Sequence, residues 1–264
     1  MSRPRWFPGL RRAPPAARAA GTHAGEDIFY TPALGALRVV AIGDIHGRAD
    51  LLAALHLRLD AEATETGGEL PVEIYLGDYI DRGPRSREVI DMLLARRRIR
   101  RLVCLMGNHE RMLLQAMNDP GEVEAWMRLG GGDTLRSYGL TPRPTPHERS
   151  VDAAIARTLR EGLPADHLAF FHSLTLSFGI GGLFFVHAGV RPGVALNAQR
   201  EDDLLWIRDE FLNSEADHGA LVVHGHTPVP AADFRRNRIN IDTGAVFTGV
   251  LTGLLISDTE IRFV

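Results

Sequence analysis

Five short polar islands interrupt the apolar runs of this 264-residue chain: Gly43-Asp44-Ile45-His46-Gly47, Gly77-Asp78-Tyr79-Ile80-Asp81-Arg82-Gly83, Gly107-Asn108-His109-Glu110, His187-Ala188-Gly189 and His224-Gly225-His226-Thr227. Together they offer carboxylates, imidazoles and an amide oxygen as metal ligands, an arginine for a phosphate, and one histidine left over. Asp44 and His46 lie just past a strand, two positions apart. In extended backbone such residues point the same way, so both can reach one ion. Asp78 occupies the same strand-end position one βα unit later, and a carboxylate can bridge two cations. Asn108 adds a neutral oxygen, and His187 and His226 add ring nitrogens. This mixed set suits Mn, Fe or Zn better than Ca or Mg. Taken singly, a strand-end aspartate is commonly a turn residue and a histidine a satisfied polar one; six such positions on one rim outweigh that reading.

Two divalent ions about 3.5–4 Å apart would clamp a phosphate ester and make a bridging water hydroxide near neutral pH, able to attack phosphorus in line. The leaving alkoxide then needs a proton. His109 is the candidate acid, because its neighbour Asn108 is assigned to metal and the histidine is spare. Asp81 is either the carboxylate that keeps His109 protonated or the partner of a neighbouring arginine. Arg82 has the planar fork that matches phosphate oxygens. Arg208, in Leu204-Leu205-Trp206-Ile207-Arg208, is a second phosphate candidate, with an exposed helix arginine as the alternative. Glu110 and Arg111 are candidates to buttress His109, and His224 is read as supporting or core rather than as a ligand. No P-loop lysine follows Gly130-Gly131-Gly132, so this run reads as a flexible turn.

The elements that must carry these residues follow from periodicity. Leu37–Ile42, Val72–Leu76 and Leu102–Leu105 read as buried strands, each ending in an island. Helical spacing follows over Ala49–Leu59, over Ser86–Arg97 with Ser86 as N-cap, and over Glu110–Met117. Alternating strands and helices predict a parallel sheet whose strand-end loops share one rim. Residues 118–167, with Trp126 and Pro142, Pro144 and Pro146, read as a small helical cap inserted over that rim. Strand-like runs at Leu174–Phe178, Leu183–Val186, Leu221–Val223, Ile239–Ile241 and Val250–Ile256 predict a second sheet, with helix only around Gln199–Asn213.

A net charge of −3 gives no attraction to nucleic acid or to an anionic membrane, and neither is expected as a partner. No apolar stretch is long enough to span a bilayer. The one cysteine, Cys104, excludes an internal disulfide, sits in an apolar run as a core residue, and points to a reducing, cytoplasmic setting. Residues 1–25, rich in Arg, Pro and Ala, read as a flexible basic arm ahead of one domain over 26–264.

The islands resemble those of the phosphoprotein phosphatase family of calcineurin-like metallophosphoesterases, the bacterial and bacteriophage lambda-type members in particular. The resemblance implies an α/β fold, a two-sheet αββα sandwich. It implies that Asp44, His46 and Asp78 hold one metal and that Asp78, Asn108, His187 and His226 hold the other, with Mn or Fe as the ions. It implies His109 as acid paired with Asp81, Arg82 and Arg208 on phosphate, and a phosphorylated protein or peptide as substrate. Regulatory partners of the eukaryotic kind are not expected. The rival is the symmetrical diadenosine tetraphosphate hydrolase or another small-nucleotide hydrolase. The diadenosine enzyme has alanine where this chain has Asp81, which favours a serine/threonine phosphatase, although Gly83-Pro84 is shared. A wide groove would suit a protein. A deep slot with a stacking platform such as Trp126 or Tyr79 would suit a nucleotide.

Overall fold

The computed structural model describes residues 32–66, 70–148 and 150–264; the basic arm expected over 1–25 lies outside them. In chain order the first half runs β1 (Val39–Ile42), α1 (Ala49–Thr66), β2 (Val72–Tyr75), α2 (Ser86–Arg96), β3 (Leu102–Cys104) and α3 (Asn108–Asn118). Short helices α4 (Val123–Trp126) and α5 (Gly132–Ser137) follow, then α6 (Val151–Gly162) and α7 (Ala165–Ser173). The second half holds β4 (Ser177–Ile180), β5 (Leu183–Val186), α8 (Glu201–Trp206), α9 (Asp209–Leu212), β6 (Leu221–His224), β7 (Asp233–Phe234), β8 (Arg238–Asn240), α10 (Ala245–Thr248), β9 (Gly253–Ile256) and β10 (Ile261–Phe263).

Two five-stranded sheets result, ordered β10-β9-β1-β2-β3 and β4-β5-β6-β8-β7. β1, β2 and β3 run parallel, as do β5, β6 and β8, while the outer strands pair antiparallel. The strands are apolar throughout because both faces are covered. Val39 and Ala41 of β1 meet Phe185, Val223 and Ile239 between the sheets, whereas Val40 and Ile42 turn outward to the layer of α1, α2 and α3. Phe184, Val186 and Val222 face a third core under α8 and α9. Period-two alternation thus builds the four-layer αββα sandwich. Cys104 is buried, and burial pushes its thiol up to about 11.

Several local expectations shift. Ser86 does not cap α2; the residue before the helix is Arg85, and the Ser86 hydroxyl accepts from Asp81 N–H at 3.1 Å. α3 begins at Asn108, so Asn108 and His109 lie in its first turn. The strand expected at Leu174–Phe178 starts at Ser177, with Thr175 making one isolated bridge to Leu105. The helix expected over Gln199–Asn213 is broken at Ile207–Arg208, where Ile207 has φ −58° and ψ 141°. Residues 118–167 pack α6 against α3 and α4, and α5 against α2. Among the described residues no helix is long and apolar enough to cross a membrane.

Candidate metal centre

The islands meet where the parallel strands of both sheets end. Five non-glycine residues have positive φ among the described residues: His46 (46°), Asp78 (51°), Asp81 (70°), Arg82 (67°) and His226 (68°). All five are residues singled out from the sequence as ligands, acid partner or phosphate holder. Left-handed backbone costs a non-glycine residue on the order of 1–3 kcal/mol and persists where the surroundings over-determine it. Glu110 supplies part of that constraint. Its carboxylate, fully buried, accepts from the N–H groups of Asp78 (2.9 Å), Tyr79 (2.8 Å), Ile80 (3.3 Å) and Gly107 (3.0 Å). It therefore organises the second island and closes the first turn of α3.

His187 donates Nδ1–H to Leu76 O at 2.9 Å, which leaves a lone pair on Nε2. That lone pair faces Asn108 Oδ1 at 2.9 Å, His226 Nδ1 at 3.1 Å and Asp78 Oδ2 at 3.5 Å. His226 Nδ1 is in turn 3.0 Å from Asn108 Oδ1. Four electron-rich atoms converge with at most one proton among them, an arrangement that repels itself unless a cation joins it. Burial holds His187 below the usual imidazole range and His226 down at about 2, so both are neutral, as ligands must be. On the other side of Asp78, His46 donates Nδ1–H to Ile80 O at 2.9 Å and turns Nε2 toward Asp78 Oδ2 at 3.5 Å. His46 is pushed down to about 3 by burial. The residues present fit two divalent cations sharing Asp78, in chemistry and in burial.

Asp44 reaches this centre by another route than the one expected. His46 is left-handed, so alternation of extended backbone does not pair the two. The Asp44 carboxylate accepts from His226 N–H at 3.1 Å. A Cβ on Gly225 would stand 2.2 Å from Asp44 Oδ1, so only glycine permits that approach. Burial, then Asp242 and Asp78, raise the Asp44 pKa. Asp242 itself is missing from the sequence-derived set. It is buried and pushed up to about 6, by desolvation and by Asp78, with its Oδ1 accepting from Gly244 N–H at 2.9 Å. Asp242-Thr243-Gly244 lies just past β8, and the strand-end rule that located the other islands applies to it equally.

His109 and Asp81 form a bonded pair: Nδ1 lies 2.8 Å from Asp81 Oδ2. Trp126 Nε1 donates to the same oxygen at 2.9 Å, and the Thr134 hydroxyl donates to Oδ1 at 2.5 Å. Both come from the 118–167 segment; the sequence marks Trp126 there as a candidate stacking platform and Thr134 not at all, and neither is expected on Asp81. Among the described residues Asp81 is thus the partner of His109, Trp126 and Thr134 and not of an arginine. Burial lowers the affinity of His109 for a proton, but Asp78 and Asp81 more than offset it, so its pKa is raised. His109 Nε2 is buried without a hydrogen-bond partner, 3.9 Å from Asp78 Oδ2. His46, Asp78 and His109 lie close enough to hold an ion together; the bond to Asp81 is what distinguishes His109 from its neighbours.

The Arg82 guanidinium donates to His46 Nε2 at 2.9 Å, at the mouth of the centre. The tri-glycine run is a packing device rather than a flexible turn: Gly130, at φ 113°, accepts from Arg82 N–H at 3.4 Å, and a Cβ there would stand 2.7 Å from that nitrogen. Arg208 is exposed, at the break between α8 and α9, and donates to Thr227 Oγ1 at 3.1 Å. His224 is buried against Phe211 with ring centroids 5.0 Å apart, in the core rather than in the donor set.

The family model for calcineurin-like phosphoesterases matches residues 37–247. The asymmetrical bis(5'-nucleosyl)-tetraphosphatase PrpE of Anoxybacillus flavithermus is 25% identical over 239 residues, which cover 83% of this chain and 90% of that one. The zinc-dependent endopolyphosphatase of Saccharomyces cerevisiae is 24% identical over 82% of this chain and 75% of its own length. The fold is shared with the crystal structure of a candidate diadenosine tetraphosphatase, at a TM-score of 0.59 and 20% identity, covering 89% of this chain and 98% of that one. These relatives are named for nucleotide and phosphate chains, which overturns the expected phosphorylated protein or peptide partner. The reason that expectation failed is physical. Asp81 favoured a protein substrate on sequence, yet it is fully buried behind His109 and touches no space a substrate could occupy, so it cannot choose between a protein and a nucleotide.

Proposed function

The chain belongs to the calcineurin-like phosphoesterase family, and from that premise we propose that it hydrolyses nucleotide polyphosphates of the dinucleoside tetraphosphate kind, with two divalent metals. The observation that carries the reading is the similarity to bis(5'-nucleosyl)-tetraphosphatases across nine-tenths of their length. Similarity to an endopolyphosphatase supports it, because both substrates present a phosphoanhydride bond. Asp44, His46 and Asp78 would hold one ion, and Asp78, Asn108, His187 and His226 the other, with Mn proposed and Fe or Zn accepted by the same donors. Bound there, the ions would polarise phosphoryl oxygens and acidify a water.

The remaining work falls to the chain's own residues. Arg82 on His46, and Arg208 on Thr227, neutralise and orient the non-bridging phosphate oxygens. Water oxygen bonds to phosphorus as the bridging P–O bond breaks, and the electron pair leaves on the departing nucleotide's phosphate. His109, its Nδ1–H held by Asp81, delivers the Nε2 proton to that oxygen. Residues 118–167 act as a cap insertion within the 26–264 domain by clamping Asp81 through Trp126 and Thr134.

The test is a paired assay of manganese-loaded and chelated protein on diadenosine tetraphosphate and on a phosphoserine peptide. Metal-dependent turnover of the dinucleotide is expected, with ATP plus AMP or two ADP as products, which also identifies the bond cut. Faster turnover of the peptide would remove the reading.

A further inference from the structure

Neither aromatic residue considered for stacking a base is available. Trp126 is fully buried and bonded to Asp81, and Tyr79 is fully buried with its hydroxyl on Leu105 O at 2.7 Å. Among the described residues the exposed tryptophan is Trp206, at 40%. Its position follows from its neighbours. Leu204 and Ile207 sink into the core outside the second sheet and Leu205 into the core over the first. This sets the rotation of α8 and the direction of the extended residue after it. Trp206 and Arg208, on either side of Ile207, are left facing solvent.

That solvent is at the metal centre. The indole stands 6.1 Å from the His226 ring, centroid to centroid, at an interplanar angle of 88°, so the two meet edge to face and indole surface stays open. Arg208 is tied to Thr227, the residue after His226. An aromatic surface and a guanidinium therefore lie together on the lip of the site where phosphorus would react. The apolar lip continues past Thr227: a Cβ on Gly244 would stand 3.5 Å from the Pro228 side chain and 3.7 Å from the ring of Phe247, which is 71% exposed. A lone exposed aromatic is ordinary on a protein surface. One resting on a metal-donor histidine, with an arginine beside it, matches a ligand that joins a flat base to a phosphate chain.

We propose that Trp206 is the platform on which a nucleobase of the substrate stacks, with Arg208 on the adjoining phosphate. This rests on the nucleotide reading above and adds the residue that discriminates a nucleotide from a bare phosphate chain. Stacking on an aromatic side chain tolerates any base, because every base has a π-face.

The experiment compares kcat/KM for diadenosine tetraphosphate with kcat/KM for inorganic tripolyphosphate, on the manganese-loaded full chain, in wild type, Trp206→Ala and Trp206→Phe. The dinucleotide-to-tripolyphosphate ratio is expected to fall about tenfold in Trp206→Ala, mostly through KM, and to be largely restored in Trp206→Phe. A ratio unchanged in Trp206→Ala, in a wild type that does cleave the dinucleotide, overturns the platform and leaves the nucleotide reading standing. A wild type that cleaves tripolyphosphate but not the dinucleotide overturns both.

Discussion

β2 has a buried charged cluster near each end, and the two are built on opposite plans. Near its start, Glu73 accepts from Arg96 Nε at 3.0 Å, from Arg96 Nη2 at 2.6 Å and from the Tyr75 hydroxyl at 2.7 Å. Arg96 also reaches Asp60 at 2.8 Å, and His56 Nε2 donates to the Tyr75 hydroxyl at 2.8 Å. None of these side chains has a buried polar atom without a partner. Past its end, Asp44, Asp78 and Asp242 are buried together and raise one another's charge cost, Asp78 lies 3.5 Å from both His46 and His187, and Nε2 of both His109 and His226 is unpartnered. Left-handed backbone recurs at this end alone of the two. A buried polar network stabilises when every member is satisfied. One left open and strained marks where stability has been given up for binding.

Asp78 and Glu73 offer the sharpest way to break the contrast. Asp78→Asn is expected to lower kcat/KM by about 10³-fold. It should leave the chelated protein as stable as the parent in urea, because asparagine still accepts from His109 N–H. Glu73→Gln is expected to do the reverse, removing about 3–5 kcal/mol of unfolding free energy with turnover per folded molecule intact. A Glu73→Gln protein as stable as the parent would show that the paired cluster is not structural.

His109→Asn comes next. Turnover of an alkyl phosphomonoester should fall by about 10²–10⁴-fold, with a smaller loss on the tetraphosphate, whose phosphate leaving group needs less proton assistance. Metal content, read by elemental analysis, should not change. Equal losses on both substrates would take the acid role from His109.

A smaller effect lies in the paired cluster. Burial, then Arg96, depress His56 to about 4, against 6.5 when unfolded. Below 6.5 the unfolded chain takes up a proton that the folded one refuses. Stability should therefore be full above pH 6.5 and decline as pH falls toward 4, by up to about 3 kcal/mol. Urea titrations of wild type and His56→Gln across that window measure it; parallel slopes would remove His56 as the cause. Smallest is Trp126→Phe, which removes one bond to Asp81. A loss of about 1 kcal/mol and a few-fold drop in kcat at constant KM are expected. A change in KM instead would place Trp126 in contact with substrate.

Much of the centre was legible because buried parallel strands need apolar runs, and polar residues directly after such runs have few reasons to be there. That rule located Asp44, Asp78, Asn108, His187 and His226, and the same rule applied after β8 would have located Asp242. It had no purchase on Trp126 and Thr134, which reach Asp81 from 45 and 53 positions away. The reading of the tri-glycine run from its missing P-loop lysine also fell short at Gly130, whose lack of a side chain serves contact with Arg82 rather than flexibility.

The residues alone determined that there are two sheets, the order of the strand-end loops and the kind of donors they carry, since each depends on neighbours a few positions away; they did not assign the Val250–Ile256 run, expected in the second sheet, whose strand β9 pairs antiparallel with β1 in the first. Tertiary packing decided how those donors are aimed, which histidine is bonded to a carboxylate, that Trp126 and Tyr79 are sealed while Trp206 is open, and that Asp81 lies behind the site rather than in it. Burial and direction of a side chain are set by whichever distant segment packs against it, and no spacing along the chain records that.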